Sequence, residues 1–118
     1  MLTALERKAL EVALSGSAAW LAPLREQVPR LRVVSRKYTG VGFFTDLACD
    51  GCVAAAGLPP PGSPQPVPVA WAAHPHVDDG GKGVISFHVF LKDGVVACLE
   101  GASTSDWPET EELVTFPA

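Results

Sequence analysis

The sequence predicts an α+β domain in which two N-terminal helices pack on an antiparallel sheet of about five strands. Apolar residues recur at helical spacing in the N-terminal quarter of the chain, and from Leu31 onward they alternate with polar residues as in a strand. Later, Asp93 and Gly94 separate two apolar runs, which is the pattern of a tight hairpin. The chain has 118 residues, so we expect one domain over 1–118.

The segment 1–29 is predicted to form a helical hairpin. Thr3 and Glu6 have the spacing of a capping box, in which a hydroxyl and a carboxylate each satisfy a free backbone N–H at a helix start. Gly16 is expected to end the first helix, and Ser17 is expected to cap the second.

The segment 31–116 is predicted to supply the sheet. Residues 31–36 and 43–48 have the character of two strands joined by a glycine turn. The segment 58–68 holds six of the eleven prolines and can donate few strand hydrogen bonds, so we expect an extended surface loop there. A short strand is predicted to follow at 67–73.

The strongest local pattern is the pair of apolar runs 84–92 and 95–100 on either side of Asp93 and Gly94. Both central residues of a type I′ turn need positive φ, which aspartate and glycine tolerate. Both faces of this hairpin are largely apolar, so we expect it to lie inside the sheet with cover on each face.

The turn at Asp93-Gly94 also predicts a register, in which Val89 lies opposite Cys98. That register places Glu100 on the same face as Cys98 and Phe87, at the end of a buried strand. A carboxylate in that position needs a partner, and we expect Glu100 either to pair with an arginine of the segment 30–37 or to cap a turn, with a binding role as the alternative.

Charge and cysteine content narrow the expected partners and compartment. The net charge is −4, which gives no general attraction for nucleic acid. Three cysteines without an export signal indicate a reducing, cytoplasmic location and no disulfide framework, and we expect no membrane partner. The basic residues Arg30, Arg32, Arg36 and Lys37 are interpreted as protection of an edge strand.

Two cysteines and two histidines form the sharpest chemical pattern. Cys49 and Cys52 are followed by His74 and His76, and two thiolates with two imidazoles can complete a tetrahedral zinc shell. The His-x-His spacing is irregular for zinc, so we expect no metal and no cofactor. A thiol-redox role for the cysteine pair is the companion alternative, although it calls for a helix N-terminus beside the first cysteine.

The order of motifs resembles that of a group of short bacterial proteins of unknown function. The resemblance rests on the helical start, 32–36 (RVVSR), 39–45 (TGVGFFT), 87–90 (FHVF), the Asp93-Gly94 pair, 99–101 (LEG) and the Trp107-Pro108 pair, and it covers about half of the chain. Members of the group carry no cysteine pair at 49–52 and have a His-Gly-Ala-Gly-Phe-like run near 81–84. The resemblance implies no activity or cofactor.

The sequence contains no recognisable catalytic set, and we expect a small non-catalytic protein that binds a protein partner in an accessory, regulatory or immunity-type role. The candidate binding residues are Phe43, Phe44, Glu100 and Trp107, in or beside loops that can form a recognition surface. The alternatives are a zinc-binding or thiol-redox protein and, third, an enzyme without a recognisable motif.

Overall fold

A computed structural model of the protein describes residues 2–54, 68–75, 82–104 and 114–116. The elements in chain order are α1 (Ala4–Ala13), α2 (Leu21–Gln27), a short 3-10 turn (Val28–Arg30), β1 (Leu31–Tyr38), β2 (Gly42–Cys49), β3 (Val69–Pro75), β4 (Lys82–Lys92) and β5 (Val95–Ser103). The predicted proline-rich loop, apart from Pro68, lies outside the described residues.

The five strands form one antiparallel sheet in the order β1-β2-β5-β4-β3. The predicted α+β fold, with N-terminal helices and a five-stranded antiparallel sheet, is therefore confirmed. The predicted hairpin is also confirmed, since β4 and β5 meet at Asp93 and Gly94, which both have positive φ (53° and 78°). Both of its strands are interior strands of the sheet.

The first helix begins as the sequence predicts. The Thr3 hydroxyl accepts a bond from the Glu6 N–H at 3.1 Å, and the Glu6 carboxylate accepts one from the Thr3 N–H at 2.8 Å. The helix ends at Ala13, before Gly16.

The start of the second helix differs from the prediction. Trp20, and not Ser17, occupies the N-cap position, and no side chain caps the helix. Pro23 lies in the first turn of α2, where the backbone N–H has no partner within the helix, so the ring costs no hydrogen bond there.

One face of the sheet, which we call the inner face, carries the core. Its buried side chains include Ile85, Phe87, Val89 and Leu99, and they form one cluster with buried residues of both helices. Gly101 belongs to this face because a Cβ there would stand 2.5 Å from the ring of Phe43, so only glycine leaves room for that ring.

Polar side chains also connect the helices to the sheet. The buried Gln27 side chain donates to the carbonyls of Gly94 (3.1 Å) and Val53 (3.3 Å) and accepts from the N–H of Val96 (2.9 Å). The end of α2 is thereby held against the β4–β5 turn.

The basic segment lies on an edge strand, as the sequence predicts, because β1 has a strand partner only in β2 among the described residues. Two of its cations are held in ion pairs. Arg32 pairs with Asp50 at 3.3 Å, and Arg36 pairs with Glu6 at 2.7 Å. Across the described part of the chain, none of the helices is both long and apolar enough for a bilayer.

Candidate interaction surface

A β-bulge at Ala97 decides which side chains share the second face of the sheet. Phe90 pairs with Cys98 and Leu91 pairs with Val96, so one extra residue of β5 is left between the two pairs. Side chains on the two sides of a bulge do not follow a simple alternation. The predicted register holds only next to the turn, and beyond Ala97 it is wrong by one residue.

The corrected register changes the position of Glu100. Its partner across β4 is His88, and its partner across β2 is Phe44. Glu100 shares a face with Cys98, as predicted, but Phe87 is fully buried on the opposite face. Of the arginines considered as partners of Glu100, Arg36 pairs with Glu6 and Arg32 pairs with Asp50.

The face that carries Glu100, which we call the outer face, exposes large apolar side chains. Exposed fractions are 56% for Trp71, 43% for Val84 and 39% for each of Phe44 and Phe90. They come from β2, β3 and β4, and each alternates with buried inner-face residues. The expectation of cover on both faces is therefore wrong for the outer face, since these side chains remain open.

A polar pair lies between the aromatic residues of this face. Nδ1 of His88 lies 3.5 Å from Oε1 of Glu100, which is ion-pair range when the imidazole is protonated. Nδ1 is buried and makes no hydrogen bond to the described residues, so the contact with Glu100 is electrostatic and not a hydrogen bond. The His88 ring stacks near Phe90, with ring centroids 6.4 Å apart. His88 is therefore a partly exposed residue of the outer face.

Two residues along β2 and β5 from Phe44 and Glu100, the outer face carries Asp46 and Cys98. Ser35 donates its hydroxyl to the Asp46 carboxylate at 2.9 Å, and Asp46 lies opposite Cys98 in the register. Burial, followed by the charge and hydrogen bond of Asp46 and the charge of Glu100, raises the pKa of the Cys98 thiol to about 11. Cys98 is accordingly protonated at neutral pH.

The predicted binding residues do not all lie on the same face of the sheet. Phe44 and Glu100 lie directly opposite each other on the outer face. Phe43 is 3% exposed and belongs to the core, because neighbouring residues of a strand point to opposite faces. Trp107 lies outside the described residues.

Sequence reasoning missed Trp71, Val84 and Phe90 as surface residues. In β4 the polar residues Ser86 and His88 alternate with Ile85, Phe87 and Val89, so a period of two did mark the face that Val84 and Phe90 share.

The structure does not bring together Cys49, Cys52 and His74, the three proposed zinc ligands among the described residues. Cys49 and Cys52 are joined by a disulfide at one end of β2, which corrects the expectation that the chain has no disulfide. His74 pairs with Gly83 at the opposite end of the sheet, about 30 Å away along the strands at ~3.3 Å per residue. His76 lies outside the described residues.

Glu6 and Arg36 form a charged pair under the sheet edge. Arg36 donates two bonds to the Glu6 carboxylate (3.0 and 2.7 Å), and Thr45 donates a third at 2.5 Å. Burial by itself would raise the pKa of Glu6, but the hydrogen bonds from Arg36, the Thr3 backbone and Thr45, with the charge of Arg36, outweigh it and lower the pKa. Because Glu6 belongs to α1, Arg36 to β1 and Thr45 to β2, these bonds hold the helix against the two strands.

Comparisons with known proteins found no matching family model, no matching curated protein and no matching solved structure.

Proposed function

We propose that the chain is a small non-catalytic protein that binds a protein partner through the outer face of its sheet. One observation carries the proposal: four large apolar side chains, Phe44, Trp71, Val84 and Phe90, are exposed together on one face. Large apolar side chains exposed on one face of a sheet fit an interaction site, and aromatic residues dominate the binding energy of such sites.

The charges on this face favour a partner of a particular chemistry. The carboxylates of Asp46 and Glu100 lie in its middle rows, whereas Lys37 lies at its edge, opposite Phe44. A guanidinium or ammonium group beside Glu100 would meet a carboxylate and the neighbouring ring of Phe44, which together favour a cation. The proposed partner therefore presents an apolar surface that carries an arginine or a lysine.

The size of the face bounds the affinity. Five strands about 4.8 Å apart, with about seven residues each at ~3.3 Å, give a face of roughly 550 Å². This is below the ~800 Å² that each partner contributes to a standard interface. We therefore expect a transient complex with a dissociation constant in the micromolar range.

Recognition fits the outer face better than catalysis does. The thiol of Cys98 is the strongest nucleophile type among the described outer-face residues, but its pKa of about 11 keeps it protonated and unreactive at neutral pH. His88 has a carboxylate neighbour, but the two do not form the hydrogen bond that orients a general base.

Partner capture followed by direct titration tests this proposal. The wild-type chain and a Trp71→Ser, Phe90→Ser double variant are immobilised, exposed to lysate of the source cells, and the retained proteins are identified by mass spectrometry. The matched control is Val53→Ser, which removes an 84% exposed valine outside the sheet. A retained protein is then purified and titrated calorimetrically against all three chains and against Glu100→Gln.

We expect micromolar binding by the wild type and by Val53→Ser, at least tenfold weaker binding by the double variant, and several-fold weaker binding by Glu100→Gln. Far-UV circular dichroism confirms that each variant is folded. A partner that binds the double variant as tightly as the wild type would show that the outer face is not the binding site.

A further inference from the structure

The four-residue turn Cys49-Asp50-Gly51-Cys52 closes the end of β2 with a disulfide. The Cα atoms of the two cysteines are 5.5 Å apart, which lies in the ordinary range for disulfides. Gly51 has φ of +70°, so the turn needs glycine at this position to bring the cysteines together.

The turn is also held by contacts that do not involve sulfur. The Asp50 N–H donates to the carbonyl of Arg30 (3.3 Å), and the Arg30 guanidinium donates to the carbonyl of Gly51 (3.2 Å). Arg32 pairs with the Asp50 side chain at 3.3 Å. Closing so short a loop removes little conformational entropy from the unfolded chain, so the disulfide is a minor part of the stability. The fold can therefore accommodate both the disulfide and the dithiol.

The two sulfur atoms have different surroundings. Cys52 lines an open cleft of about 380 Å³ together with Pro23, Gln27 and Arg30. The Sγ atom of Cys49 lies 3.7 Å from the carbonyl oxygen of Gln27, an acceptor for the S–H that reduction creates. Of the two, Cys52 is the sulfur that an incoming thiolate can approach from the cleft.

Arg30 places a cation beside the disulfide turn. Arg30 lines the cleft and already contacts the Gly51 carbonyl of the same turn. Glu26 also lines the cleft, while Arg32 and Asp50 neutralise each other beside it. A guanidinium close to a disulfide attracts an attacking thiolate and stabilises the thiolate that departs.

We infer that Cys49 and Cys52 form a redox-active pair that exchanges its disulfide with the thiols of a cysteine-containing peptide or protein. This activity is independent of the outer sheet face. It differs from thioredoxin-like chemistry, because Cys49 ends a strand and no helix begins beside it within the described residues.

The exchange balances in two steps. A thiolate of the substrate attacks Sγ of Cys52 and forms a mixed disulfide, while Cys49 departs as a thiolate and takes up a proton. The second substrate thiol loses its proton and attacks the substrate sulfur of the mixed disulfide, which releases Cys52 to be protonated. The substrate dithiol thereby loses two electrons and two protons to become a disulfide, and the cysteine pair gains them.

Thiol trapping in glutathione buffers tests this inference. Cys98 is replaced by serine, so that only the thiols of Cys49 and Cys52 are alkylated. The chain is equilibrated with mixtures of reduced and oxidised glutathione, quenched with acid, alkylated with a maleimide and weighed by mass spectrometry. We expect both thiols to appear and disappear together, reversibly, with an unchanged far-UV circular dichroism spectrum. A pair that is reduced only in urea, or that never oxidises in oxidised glutathione, would overturn the inference.

Single cysteine variants test which sulfur is attacked. In oxidised glutathione, the Cys52 thiolate of Cys49→Ser is expected to form the mixed disulfide, with release of one reduced glutathione, at least ten times faster than the Cys49 thiolate of Cys52→Ser does. Arg30→Gln is expected to slow capture on Cys52 about threefold at low salt, with Arg7→Gln, an exposed arginine of α1, as the charge-matched control. Equal capture rates on the two sulfurs would contradict the proposed direction of attack.

A synthetic peptide with two cysteines, two residues apart, tests the exchange itself. The oxidised protein is expected to convert one equivalent of peptide to its disulfide at least ten times faster than the same concentration of oxidised glutathione does. If the oxidised protein is no faster than oxidised glutathione, the proposed activity is refuted, even if the pair titrates reversibly.

Discussion

Replacing Glu6 by glutamine tests the tie between the first helix and the sheet. The side chain of Glu6 is 4% exposed and receives two bonds from Arg36, one from Thr45 and one from the backbone of Thr3. Glutamine has almost the same shape, but one of its terminal groups is an NH2 that cannot accept these donors. The variant therefore removes the negative charge and leaves donors of Arg36 and Thr45 without acceptors.

The expected loss of folding stability depends on how exposed the Arg36 side chain is. Breaking a fully buried ion pair costs about 3–5 kcal/mol, because the remaining charge is uncompensated. The Arg36 side chain is 28% exposed and can still reach water, which reduces that cost. We expect Glu6→Gln to lower the free energy of unfolding by about 2–3 kcal/mol, or Tm by roughly 10 °C for a domain of this size.

Urea unfolding followed by far-UV circular dichroism measures this free energy. Glu11→Gln is the matched control, because Glu11 lies on the exposed side of the same helix. A difference below about 0.5 kcal/mol between the two variants would refute the reasoning, since surface substitutions commonly fall within that limit.

The same pair predicts a dependence on pH. The pKa of Glu6 is lowered from 4.5 in the folded chain, so its charged form contributes stability above that value. The contribution is lost as pH falls through the lowered pKa of the folded state. The difference in stability between wild type and Glu6→Gln is therefore expected to be constant from pH 7 to about 5.5 and to shrink below pH 4.5. A difference that grows in acid would contradict the assignment.

Three further outcomes follow from buried contacts and from the thiol. Gln27→Leu is expected to lower the free energy of unfolding by about 3 kcal/mol, since it leaves two buried backbone groups and the part-buried Val53 carbonyl without their partner, and chemical denaturation measures the loss. Gly101→Ala is expected to cost about 1–3 kcal/mol, because the new Cβ overlaps the ring of Phe43, and a thermal melt detects it. Cys98 is expected to react with iodoacetamide at pH 7.5 at least tenfold more slowly than a free cysteine, because its pKa is about 11.

Each of these outcomes has its own control. Glu26→Gln changes the exposed neighbour of Gln27 and is expected to stay within about 0.5 kcal/mol of wild type. Phe43→Leu in the Gly101→Ala chain removes the overlapping ring, so the double variant should be less destabilised than the sum of the single variants. Unfolding in urea should restore ordinary reactivity to Cys98, and equal rates before and after unfolding would contradict its burial.

Local signals in the sequence determined most of the secondary structure. The capping box of Thr3 and Glu6 lies within four residues, and both central residues of the Asp93-Gly94 turn are set by their own φ preferences. Signals of this kind act between near neighbours, so they can be recognised without knowing the rest of the fold.

The candidate site was only partly predictable for the opposite reason. Phe44 and Glu100 were selected from the sequence, but the contact between their strands joins β2 to β5, which are far apart along the chain. The partner of Glu100 depends on the bulge at Ala97, and no turn residue or change of period marks that bulge. A shift of one residue moves every later side chain to the other face, so a local pattern cannot assign the faces.

The sequence by itself therefore determined the helix start, the hairpin turn and the α+β class, since each depends on short-range hydrogen bonds and on periodicity. The tertiary structure decided that Glu6, and not Glu100, takes Arg36, and that Phe44 and Phe90 are exposed while Phe43 is buried. It also placed Cys49 beside Cys52 and far from His74. These outcomes depend on which strands meet and in which register, and long-range packing sets both.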